Sequence, residues 1–135
     1  MISEVLIPLL KASFGDGAFT TGVTPNAIAV FPAKHPEVGS IEIFEDGNEL
    51  TLVVGKFSHG HFGNFEKSLS EADRAFQISS DVVSFLTDIF TDRIEFWGSH
   101  SGAGGWRQRG ARGKVAAFVF GSATHVWSGP IATRA

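Results

Sequence analysis

Two periods of hydrophobic and polar positions run through this chain, one of three to four residues and one of two. The longer period is clearest between Lys67 and Asp92. There Ala75, Ile78, Val82, Phe85, Leu86 and Ile89 recur at helical spacing, while Asp73, Gln77, Asp81, Ser84 and Asp88 take the opposite face. This predicts one long amphipathic helix over about residues 69–91. Ser68 with Glu71 matches a capping box, and the overlapping pair Ser70 and Asp73 matches its acidic form, so the helix starts inside that window. Its carboxylate-bearing outer side reads as a solvated face.

The shorter period marks strands. Ala27–Phe31 is a short apolar run closed by Pro32, and Pro32 and Pro36 bracket a turn that holds His35. Residues 40–45 and 49–54 alternate with β-branched side chains on either side of Asp46-Gly47-Asn48, which predicts a hairpin. Arg93–Trp97 alternates with Ile94 and Phe96 toward the core, Lys114–Phe120 is nearly all apolar, and His125–Trp127 is a last short strand or a bulged continuation. Residues 13–26 are rich in Gly, Thr and Asp and are expected to be irregular. Strands, one long helix and further strands predict an α+β fold: a mostly antiparallel sheet of four to six strands with the helix packed on one face.

Composition narrows the chemistry more than the fold. A chain of 135 residues reads as a single domain, 1–135. It has thirteen Phe and three Trp but no Tyr and no Cys, so disulfides, thiolate nucleophiles, Cys-ligated zinc and tyrosyl acid–base catalysis are excluded within it. Phe44, Phe57, Phe76, Phe85, Phe90, Phe96, Phe118 and Phe120 fall on the predicted elements and are expected to fill a helix-on-sheet core. No apolar run is long enough to span a membrane. Met1–Lys11 has an early Glu4, no basic leading region and an apolar stretch broken by Pro8, which is a poor secretory signal, so a cytoplasmic location is expected.

The net charge of −3 conceals a division. Residues 1–95 carry a balance of −8, whereas residues 96–135 carry five basic residues and no acid. A basic segment packed against acidic strands accounts for this, and so does a local anion site on an acidic body.

Two segments look less like scaffold than the rest: Phe57–Asn64, which contains His59-Gly60-His61, and Gly98–Gly113, which contains His100, Trp106, Arg107, Arg109 and Arg112. If residues 49–57, the helix and residues 93–97 form a crossover with parallel strands, both segments emerge at one carboxyl edge of the sheet; an antiparallel arrangement separates them. His59 and His61 share a face of any strand they lie on, which is a weak zinc-ligand signal because no third ligand stands at a diagnostic spacing. No metal and no cofactor is therefore expected. The glycines around the Arg residues suit an anion nest with guanidinium forks, but the phosphate-loop and nucleophile-elbow signatures both fail. Trp106 among Arg-Gly pairs is one short basic stretch on an acidic chain, a poor footprint for nucleic acid.

No complete catalytic set is present. The reading these residues favour is a small binding protein acting on a macromolecular partner or through self-association. The alternative is an enzyme or small-ligand binder for an anionic molecule, in which His59, His61 or His100 serves as general base and Arg107 or Arg109 clamps the anion.

Overall fold

The computed structural model of this chain describes residues 1–22, 24–55, 57–98, 104–108 and 123–131. In chain order these form helix α1 (Ser3–Phe14), a 3-10 turn (Asp16–Ala18), β1 (Ala27–Phe31), β2 (Ile41–Asp46), β3 (Glu49–Val54), β4 (Ser58–Gly63), helix α2 (Glu71–Phe90), β5 (Ile94–Gly98), β6 (Gly104–Gln108), β7 (Ala123–Val126) and β8 (Gly129–Pro130). The α+β class and the antiparallel pairing follow the sequence. The expected strand at Lys114–Phe120, with Phe118 and Phe120, lies outside the described residues.

The described strands divide into two four-stranded antiparallel sheets, ordered β1-β2-β3-β4 and β6-β5-β7-β8. In the first, the β2–β3 hairpin forms where the alternation predicts it, with Asp46 opposite Glu49. Its inward residues Ile41, Ile43, Leu50 and Leu52 are fully buried. Then the chain departs from the sequence reading. It reverses at Gly55, whose φ of 50° lies in the left-handed region and whose missing side chain leaves room for the Val38 carbonyl. Residues 58–63 return as β4, antiparallel to β3. Among the described residues β3 and β5 therefore belong to different sheets, and no parallel crossover joins them.

α1 is the other departure. Its Leu6 and Leu10, one turn apart, are fully buried. Burying a Leu side chain contributes about 1.5–3 kcal/mol, so the two together offset the ~3 kcal/mol that a proline inside a helix costs at Pro8. The free N–H groups at the start of α1 are met from another element: Glu45 of β2 accepts hydrogen bonds from Ile2 N (2.9 Å) and Ser3 N (3.2 Å).

α2 begins where the capping pattern places it. Ser70 is the N-cap, and its hydroxyl accepts from Asp73 N at 3.1 Å. Its buried stripe Ala75, Ile78, Val82, Leu86 and Ile89 joins α1, the inward face of the first sheet, and Ile94, Phe96 and Trp127 in one core. Phe76 does not join it. It is 55% exposed because it stands off the stripe, on the neighbouring face of the helix. Phe44 is half-buried on the outer side of β2. At the far end of α2, Asp92 adopts φ 61° and accepts hydrogen bonds from Ser128 N (3.1 Å) and Ser128 Oγ (2.6 Å), which ties the helix to the β7–β8 turn.

Candidate functional site

β4 and β6 carry the candidate residues whose positions are described, and alternation sorts them onto two faces. In β4, Ser58, Gly60 and Phe62 are half-buried while His59, His61 and Gly63 are exposed. Phe62 packs on Phe85 of α2 (ring centroids 5.5 Å apart), and Phe85 in turn meets the edge of Trp106 of β6 at 4.7 Å. Phe62 and Trp106 thus both face α2. Their neighbours in sequence, His61 and Arg107, point away from it, and so does His59.

The residues on the outer face are engaged with one another or with their strand partners. The His59 and His61 rings stand edge to face at 5.1 Å. His61 Nδ1 lies 3.0 Å from Thr51 Oγ1, its cross-strand partner, and 3.2 Å from Glu49 Oε1. A contact this exposed is worth about 0–1 kcal/mol. Arg107 is opposite Glu95, and its Nε donates to Glu95 Oε2 at 3.0 Å. With side-chain exposures of only 25% and 15%, that pair is partly desolvated. The ring of Trp97 lies across Gly105, where an added Cβ would come within 2.8 Å of it. Among the described residues no group of three His, Asp or Glu side chains is arranged to hold a metal ion. His100, Arg109 and Arg112 lie outside the described residues.

Nor, among the described residues, does a cavity gather the candidates. A cleft of about 650 Å³ lies between the starts of α1 and α2 and the β2–β3 turn, with Glu4, Glu45, Glu71 and Arg74 among its lining. Two of its polar groups already have partners: Glu45 caps α1, and Arg74 Nη2 donates to the Glu66 carbonyl at 2.7 Å. A second cleft of about 260 Å³ is lined by Phe14, Phe31, Phe90, Trp127 and Lys34. Neither is lined by His59, His61, Trp106 or Arg107.

One cluster went unread in the sequence. Glu37, in the turn between β1 and β2, places Oε1 3.4 Å from His125 Nε2 and Oε2 3.9 Å from His35 Nε2. The Glu37 N–H donates to His35 Nδ1 at 3.1 Å, which puts the proton of a neutral His35 ring on Nε2, toward the carboxylate. His35 therefore offers that carboxylate a donor and not a lone pair for a metal. His125 is 5% exposed and lies against Phe57 at 5.0 Å, and its Nδ1 is buried with no hydrogen-bond partner. The cluster joins the turn of the first sheet to β7 of the second across 88 residues of sequence, a separation over which no spacing rule operates.

Comparisons with protein-family models, with curated proteins and with solved structures return no match to this chain.

Proposed function

We propose that this chain acts by binding, either to a macromolecular partner or to a second copy of itself, through the aromatic row Phe62–Phe85–Trp106. The observation that carries this reading is Trp106, an indole left 41% exposed yet fixed edge-on against Phe85. Trp is enriched among the few residues that dominate interface energies, and a ring already ordered by its neighbours loses little freedom on binding. Asp81 and Asp88 stand one turn to either side of Phe85 on α2; Asp88 is paired with Arg93 at 3.7 Å, and Asp81 supplies an acidic border. The surface that fits is an apolar centre with basic residues around it.

The reading as an anion-binding enzyme has less support. His59 and His61 lie on one sheet and Arg107 on the other, no described cleft includes them, and Arg107 is ion-paired with Glu95.

The test is capture on immobilised protein combined with molar mass in solution. A partner, or a dimer, that is retained at defined stoichiometry by the wild type and weakened at least tenfold by Trp106→Ala supports the proposal. Retention equal in both proteins, or a monomer that retains nothing, refutes it.

A further inference from the structure

The smaller cleft lies away from the aromatic row and has the chemistry of a ligand site. Phe31 and Trp127 are nearly fully buried and form its floor, at 2% and 6% exposure. Phe14 and Phe90 are half-buried and form its walls, each ring tilted or edge-on to its neighbours at 5.1–5.8 Å. Ala18, with its small side chain, is also part of the lining. Lys34 is exposed at the rim, no carboxylate lines the cleft, and among the described residues nothing forms an ion pair with its ammonium group.

We infer that this cleft binds a small aromatic carboxylate, with its ring among Phe14, Phe90 and Trp127 and its carboxylate on Lys34. Size sets the first limit. At about 260 Å³ the space falls just below the ~300–1,000 Å³ usual for drug-sized ligands, which leaves room for one ring and a short arm. The rings set the second, since edge and face presentations of four aromatics favour another ring over an alkyl chain. Charge sets the third. α1 and α2 both end at the cleft, at Phe14 and Phe90, and helix C-termini carry a partial negative charge that favours a cation. Several of their last carbonyls already accept hydrogen bonds within the chain, however. Lys11 O accepts from Gly15 N, Thr87 O from Thr91 N and Oγ1, and Asp88 O from Arg93 N. The full charge of Lys34 therefore decides the sign.

Phenylacetate, phenylacetamide and phenethylamine share a ring and differ in charge. Titrated into the whole chain, phenylacetate should shift the assigned indole N–H resonance of Trp127 saturably. It should bind about threefold or more tightly than phenylacetamide, a factor in keeping with an exposed ion pair, and phenethylamine should bind weakest. Lys34→Gln should bring phenylacetate down to the affinity of the amide and leave the amide unchanged, and Ala18→Leu should abolish both. The inference is overturned by the absence of a saturable shift, by equal binding of acid and amide, by tighter binding of the amine, or by a Lys34→Gln variant that still distinguishes acid from amide. Trp106→Ala should leave phenylacetate binding intact, so this result and that for the aromatic row stand or fall separately.

Discussion

Asp92 holds a backbone conformation that few residues other than glycine adopt, and its carboxylate spans the gap to Ser128. The two contributions separate by substitution. Asp92→Ala keeps the φ of 61° and loses both hydrogen bonds, so denaturant unfolding should show a loss of about 2 kcal/mol; Asp92→Gly relieves the backbone and should lose less. Gly55 offers no such compromise, because a β-carbon there meets the backbone carbonyl of Val38 at a φ of 50°. Gly55→Ala should cost more than ~3 kcal/mol in the same measurement or fail to fold, and a loss under 1 kcal/mol would mean the reversal after β3 is built otherwise. Neither residue announces itself in the sequence. Glycine after a strand is ordinary, and its necessity here comes from Val38, which stands in the turn before β2. The candidate residues were legible in part. Exposure of Trp106 follows from its glycine-rich polar setting, whereas the hold of Glu95 on Arg107 depends on strand register, which residue types do not encode.

At the scale of elements, α2 and the β2–β3 hairpin were readable because each carries a strong period and its own local stop signals. Ser70→Ala tests the first of these: loss of the cap should lower stability by about 1 kcal/mol, measured by thermal or denaturant unfolding followed in the far ultraviolet. α1 was not readable. Pro8 argues against a helix, and the group that caps its start, Glu45, is 43 residues away from Ile2. Glu45→Ala should therefore raise amide exchange in the first turn of α1 more than in α2, although the substituted residue lies in a strand; unchanged exchange there would remove the capping role. β4 escaped notice for a different reason. Ser-His-Gly-His-Phe-Gly has the alternation of a strand but little apolar content, and its pairing with β3 rests on main-chain hydrogen bonds and on the tight turn at Gly55.

Across the whole molecule, one helix serves two sheets, and the division of strands between them decides what the candidate residues can do. Periodicity tells which face of a strand is buried but not which strand lies beside it, so the sequence left open whether the histidines and Trp106 meet. The two sheets instead turn His59, His61 and Arg107 away from α2 and turn Phe62 and Trp106 toward it. The central claim is that binding occurs on the second of these sides. The most direct measurement places a photo-crosslinking amino acid at position 106 in one protein and at position 61 in another, and compares the adducts formed in cells. The account predicts a discrete adduct, or a covalent dimer, from position 106 and none from position 61. Adducts from position 61 alone, equal adducts from both, or none from either would contradict it.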